Sequence, residues 1–223
     1  MYTTHPAYRN LASAFVVLSS VLLFSCGGDN DSSSDEDTGC TPSGDSECTN
    51  TVFVTDAIMT GGFAAGSAIG ALPEADAICQ AEANLAGLSG TYFAWISVDA
   101  ANSPAGIFTQ STDPYVLPTG EVVADNWADL IDGSLQTEID VNASGGTPAG
   151  VCPVTNVWTA TTISGTPNPN NCSGWTNNGG IVDRGISNSA TGFWTDLGGA
   201  ICSFSTVCGA GSEVGGRLYC FEQ

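Results

Sequence analysis

Apolar and polar residues follow three rhythms along this 223-residue chain, and each rhythm predicts a different element. Residues 11–24 are almost continuously apolar, a run too short to span a bilayer and suited to the core of a signal peptide. Residues 27–37 contain only Gly, Ser, Asn, Asp and Glu, so they cannot bury a core and read as a disordered acidic tether. From Pro73 the spacing becomes helical: Ile78, Ala81 and Leu85 fall on one expected face, with Cys79 beside them. Pro73 suits the first helical position, Glu74 and Asp76 place negative charge in the first turn, and Gly87 can close the helix in the left-handed region. Tyr92-Phe93-Ala94-Trp95-Ile96 then reads as a buried strand.

Shorter patterns fill in the rest. Val52-Phe53-Val54-Thr55 predicts a first strand, and residues 61–66 predict a flexible turn. A short helix is expected at 125–133, capped by Asp125, with Trp127, Leu130 and Ile131 facing inward and Gly133 ending it. Strands are expected at 157–161, at Phe193-Trp194-Thr195 and at 217–223, with a turn-forming run at 166–171. Three segments follow: a signal peptide at 1–25, a lipidated cysteine with its tether at 26–50, and one folded domain at 51–223. The domain is large enough for a real core and is of the α+β class, rich in loops. Trp95, Trp127, Trp158, Trp175 and Trp194 are expected in that core.

The apolar run ends Leu23-Phe24-Ser25-Cys26-Gly27, which resembles a bacterial lipobox, with Leu at −3, a small residue at −1 and the cysteine that receives lipid. More than one acyl chain on Cys26, palmitate among them, would anchor the protein stably to a membrane. Gly27 stands where an inner-membrane retention signal would place Asp, which favours the outer membrane and the cell surface. The tether would lift the domain about 25–30 Å from that surface.

Nine cysteines are present, and removing Cys26 leaves eight: Cys40, Cys48, Cys79, Cys152, Cys172, Cys202, Cys208 and Cys220. An even set behind a signal peptide reads as a disulfide framework in an oxidising compartment, and Cys40 with Cys48 most simply closes a local loop. No Cys-x-x-Cys pair suggests zinc. The single histidine, His5, belongs to the signal segment, so a histidine metal site, a Ser-His triad and a Cys-His dyad are all excluded from the mature chain. Without Arg9, the 23 acidic residues face only Arg184 and Arg217, a formal charge of −21. Such a surface repels nucleic acid and heparin-like polyanions.

The segments Val52-Phe53-Val54-Thr55, Ala75-Asp76-Ala77-Ile78-Cys79, Ala86-Gly87-Leu88-Ser89-Gly90-Thr91-Tyr92-Phe93-Ala94-Trp95-Ile96-Ser97, Asn126-Trp127-Ala128-Asp129-Leu130-Ile131-Asp132-Gly133-Ser134-Leu135, Val157-Trp158-Thr159-Ala160, Cys172-Ser173-Gly174-Trp175 and Leu218-Tyr219-Cys220-Phe221-Glu222 resemble, in order and spacing, an endostatin-like domain. Endostatin is a variant of the C-type lectin fold, and bacterial surface lipoproteins carry similar domains. The resemblance implies a lectin-like α+β roll with a disulfide between the first helix and the last strand, Cys79 to Cys220. Cys172 is then left for Cys202 or Cys208, and Cys152 for whichever remains. The resemblance does not carry over endostatin's arginine-rich heparin surface or its histidine zinc site. A lectin-type calcium site would draw on Asn168-Pro169-Asn170-Asn171 and Trp194-Thr195-Asp196. Read along the chain these are scattered, with Trp194 expected in a core strand and Asp196 in a turn, so no metal or other cofactor is expected.

Three functions compete. The expected one is a lectin-like binding module for a protein or glycan, presented at the cell surface. The second is a structural or solubilising envelope protein without a ligand. The third is a carboxylate-based hydrolase, for which no pair of acids is singled out by spacing, so no catalytic residue is assigned and the chain is read as a non-enzyme. Mass spectrometry of the mature N-terminus should find acyl chains on Cys26, and an unmodified mature chain that starts elsewhere would refute the anchoring. At low salt the protein should pass through a heparin column unretained, whereas retention that weakens with added salt would reveal a basic surface the composition hides.

Overall fold

The computed structural model describes residues 48–64, 71–150, 152, 154–208 and 211–223. The expected signal segment, Cys26, Cys40 and the expected tether up to residue 47 lie outside the described residues, and the first strand takes up Asn50 from the end of that expected tether. Among the described residues no helix is long and apolar enough to cross a membrane.

The architecture is α+β. One sheet contains β1 (Asn50–Val54), β2 (Tyr92–Ala94), β3 (Tyr115–Val116), β4 (Val122–Ala124) and β10 (Tyr219–Glu222), in the order β2-β10-β1-β3-β4. A second sheet has the order β5 (Asn156–Trp158), β6 (Ile181–Ile186), β7 (Gly198–Ile201), and β8 (Ser205–Cys208) pairs with β9 (Gly211–Val214) as a hairpin. The last strand therefore lies between the first two, antiparallel to both, with Phe53 opposite Cys220 and Cys220 opposite Ala94.

Because strand side chains alternate between faces, this register divides the core in two. Phe53, Ala94 and Cys220 face the long helix α1 (Ala71–Ala86). Val52, Val54, Tyr219 and Phe221 face an aromatic cluster centred on Trp95, whose ring centroid lies 4.9 Å from that of Trp194, 5.2 Å from Phe221 and 5.9 Å from Trp127. The indole N–H of Trp95 donates to Thr195 Oγ1 at 2.7 Å, so the polar edge of this buried ring is satisfied. All five tryptophans are buried.

Helix α1 begins at Ala71, so Pro73 sits at the third helical position, still among the first N–H groups that have no intrahelical acceptor. Its C-terminus is a Schellman motif: Leu88 N–H donates to Ala83 O at 3.0 Å, Gly87 N–H donates to Asn84 O at 3.2 Å, and Gly87 has φ +76°. The buried face differs from the expected one. Leu72, Ala75, Cys79 and Ala83 form the stripe, Ile78 is only partly buried, Ala81 is exposed and Leu85 is 89% exposed. The stripe of small residues lets the helix lie close enough for Cys79 to reach Cys220. Bulk does not set its rotation. The Cys79–Cys220 disulfide closes across 141 residues with a Cα–Cα distance of 5.4 Å. Gln80 ties the helix to β2 by accepting Tyr92 N–H at 3.0 Å and donating to Gly90 O at 3.2 Å.

Asp76 turns inward instead of remaining in the solvated first turn, and its Oδ1 accepts Ala94 N–H at 2.8 Å. Burial pushes its carboxyl up to about 6, against the lowering effect of that hydrogen bond. Helix α2 is Pro104–Ile107 and helix α3 is Trp127–Leu130. Asn126, not Asp125, caps α3, accepting Asp129 N–H at 3.1 Å. Asp129 in turn accepts Asp125 N–H at 2.8 Å, so the two acids brace the approach to the helix. Phe193 and Trp194 belong to a 3-10 turn, Gly192–Trp194, not to a strand.

Replacing Cys79 or Cys220 with Ala should lower stability by about 5 kcal/mol through the loop-closure entropy restored to the unfolded chain, and denaturant unfolding will measure it. A loss below about 1 kcal/mol would show that packing alone holds the helix. Asp76 gives a pH-dependent case. A carboxyl whose folded pKa exceeds its unfolded value contributes stability below the unfolded value, and that contribution is lost as pH rises through about 6. Asp76→Asn keeps an acceptor for Ala94, so its advantage over the native protein in thermal midpoint should be small near pH 4 and grow through pH 6 to 7.

Candidate binding site

The candidate site is built on β6 and the loops that converge on it. The strand β5 ends where Ala160 takes φ +45°, and Ala160 N–H donates to Asp183 O at 2.8 Å. The chain then makes the loop 162–171. Asn168 N–H returns to Ala160 O at 2.7 Å, and Asp183 N–H reaches Asn170 O at 2.8 Å, so the loop base is zipped to β6. At the tip, Thr162, Ser164 and Thr166 form an exposed hydroxyl cluster with oxygen separations of 2.7 to 3.2 Å.

Beyond the loop, Cys172, Ser173, Gly174 and Trp175 have φ of 56°, 56°, 70° and 66°, one turn of left-handed helix. Non-glycine residues take this conformation at a cost of about 1–2 kcal/mol each, so the surroundings must impose it. Asn171 Oδ1 accepts Gly174 N–H at 2.8 Å, Asn171 Nδ2 donates to Val98 O at 2.9 Å, and the Trp175 indole N–H donates to Ser97 O at 3.0 Å. The Cys172–Cys202 disulfide, with a Cα–Cα distance of 5.8 Å, fastens the turn to the segment after β7. Cys202 is thus the partner of Cys172. Cys152 is also disulfide-bonded and contacts Gly211 O through its sulfur at 3.5 Å. Cys48 is half-buried just before β1. Cys208 closes the β8–β9 pairing opposite Gly211.

Two amide–carboxylate pairs lie side by side on this frame. Asn168 Nδ2 donates to Asp196 Oδ1 at 3.1 Å, and Asn170 Nδ2 donates to Asp183 Oδ2 at 3.1 Å. Asp183 is 9% exposed, and burial pushes its carboxyl up, aided by the charge of nearby Asp196 and opposed by the hydrogen bonds from Asn170. Its cross-strand partner on β7 is Gly199, which has no side chain to cover it. The residues that look scattered along the chain are therefore brought together, around a carboxylate, Asp183, that the sequence reading missed. The β-branched pair Ile181-Val182 was the available signal, since it marks the strand that carries Asp183.

The group offers hydrogen-bond acceptors and negative charge to hydroxyl or amide donors. The two asparagines turn their amide nitrogens, not their oxygens, toward the carboxylates. Among the described residues no group of three or more His, Cys, Asp or Glu is placed to hold a metal ion. A separate cavity of about 210 Å³ is lined by Asp56, Glu82, Leu85 and Asn142. Its acids serve the fold: Glu82 accepts the N–H groups of Asp56 and Ala57 at 2.7 and 2.8 Å, and Asp56 accepts Ala149 N–H at 2.6 Å.

No protein-family model matches this chain, and no curated protein matches it.

Asp183 should be a cost to the folded state. Its raised pKa means that its stabilising contribution is present at low pH and is lost as pH rises through the folded value. Asp183→Asn should therefore match or exceed the native melting temperature at pH 7, and lose that advantage in acid. A lower melting temperature for the variant at pH 7 would show that the carboxylate holds the loop in place.

Proposed function

We propose that this protein is a lipid-anchored surface protein whose domain is lectin-like and binds an extracellular protein or glycan through the 162–171 loop and the adjoining ends of β6 and the 3-10 turn. The observation that carries the reading is the pairing of Asn168 with Asp196 and of Asn170 with Asp183 on a base held rigid by a disulfide and a left-handed turn. Nearly all of the molecule's strained non-glycine backbone found among the described residues lies within this frame, which is where strain maintained for recognition is found. The lectin-like fold is supported by the adjacency of first and last strands and by the disulfide from α1 to β10. The spacing of the acids singles out no hydrolytic pair, so the reading is of binding without catalysis.

A glycan array and a pull-down from envelope and host extracts, run with native protein and Asp183→Asn, test this. The native protein should retain a ligand with chelator present, and the variant should lose it at least tenfold while remaining folded. Binding that survives the substitution moves the site elsewhere. Absence of any ligand in both formats favours a structural or solubilising role, which the excess of acids would also serve.

A further inference from the structure

Two arginines lie among the described residues, and they are treated in opposite ways. Arg217 is buried, and its guanidinium is spent on carbonyls: Nε donates to Val154 O at 3.0 Å, one terminal nitrogen to Thr55 O at 2.8 Å and Asp56 O at 2.6 Å, the other to Ala149 O at 2.6 Å. It is a structural cation that gathers three loops.

Arg184 has no such partners. Its Nε is buried without a hydrogen-bond acceptor, and no carboxylate among the described residues forms an ion pair with it. Its guanidinium carbon sits 5.4 Å from the centroid of the Phe204 ring, a cation–π contact. In the sheet it lies opposite Trp158 on one side and Gly198 on the other. Gly198 has no side chain, a Cβ built there would meet nothing within 4 Å, and Arg184 itself is only half-buried.

Taking a cation partly out of water without a counter-charge is unfavourable, and burial accordingly lowers the pKa of Arg184. The chain has 23 acidic residues, and among the described ones none pairs with Arg184. Asp183 is the neighbour in sequence, but consecutive strand residues point to opposite faces, so it does not serve.

We propose that Arg184 is a binding site for a single carboxylate carried by an otherwise uncharged ligand, on the face of β6 opposite the Asn–Asp cluster. The guanidinium fork matches one planar carboxylate, and Phe204 orients it. A polyanion is disfavoured by the formal charge of −20, which adds repulsion for every further negative group. A sugar acid and a simple carboxylic acid share this chemistry, and they are separated by experiment.

The test uses full-length protein labelled with nitrogen-15, in which the Nε–H signals of Arg184 and Arg217 are followed separately. Acetate and glucuronate are titrated at constant ionic strength against sodium chloride. The Arg184 signal should move saturably with both probes, while that of Arg217 stays and reports an intact fold. Glucuronate at least tenfold tighter than acetate assigns a sugar acid, and equal affinities assign the carboxylate alone. Arg184→Lys, which keeps the charge but loses the fork, should bind at least tenfold more weakly, and Arg184→Gln not at all. An Arg184 signal that does not move, or that moves equally with chloride, sulfate or phosphate, would overturn the proposal. So would unchanged glucuronate affinity in Arg184→Lys, read from the amide signals around Gly198.

Discussion

The placement of β10 between β1 and β2 is the constraint on which the rest of the domain depends. It joins the last residues to the first strand, so this central pairing cannot form until the chain is nearly complete. Its two faces seed the two halves of the core, with Cys220 toward α1 and Tyr219 and Phe221 toward the tryptophan cluster. The Cys79–Cys220 bond makes this long-range contact permanent. Long-range pairing of this kind carries a large loop-closure cost, and a covalent clamp removes that cost from the unfolding equilibrium.

A second clamp serves a different purpose. Cys172–Cys202 spans only 30 residues, and it fastens a turn that L-residues resist. That turn follows directly on the loop whose asparagines meet Asp183 and Asp196. Among the described residues the strained non-glycine backbone lies in this loop frame, at Ala160, Cys172, Ser173 and Trp175. The division is one that recognition sites commonly show, with variable chemistry on loops and rigidity beneath them. The two arginines repeat the division on a smaller scale. Arg217 satisfies carbonyls that the loops leave over, whereas Arg184 lies against a ring and its Nε has no acceptor among the described residues.

Acidity shapes both regions. Asp76 and Asp183 are each pushed up by burial, and each is steadied by an amide donor. One stitches α1 to β2 and the other anchors a loop. Among the described residues these two buried carboxylates mark places where a backbone or side-chain amide needs an acceptor.

Elements whose signals are local were legible along the chain. Gly87 closes α1 because only a residue tolerant of positive φ completes the Schellman motif, and Trp127 and Leu130 turn inward because their spacing allows one helical turn. The α+β class follows from the same periodicities. The rotation of α1 was not legible, because alanines rather than Ile78 and Leu85 face the sheet, and hydrophobic size points the wrong way when close approach is what packing needs. The strands β6 to β9 were hidden by glycines and polar residues, whose strand conformation comes from pairing and not from propensity. The choice of Cys202 for Cys172, and the meeting of Asn168, Asn170, Asp183 and Asp196, were decided by the tertiary structure alone. Composition determined that the chain is acidic, rich in cysteine and carries a single histidine, His5. Only the fold could bring residues from separate loops onto one face, since their proximity depends on strand register and not on anything written between them.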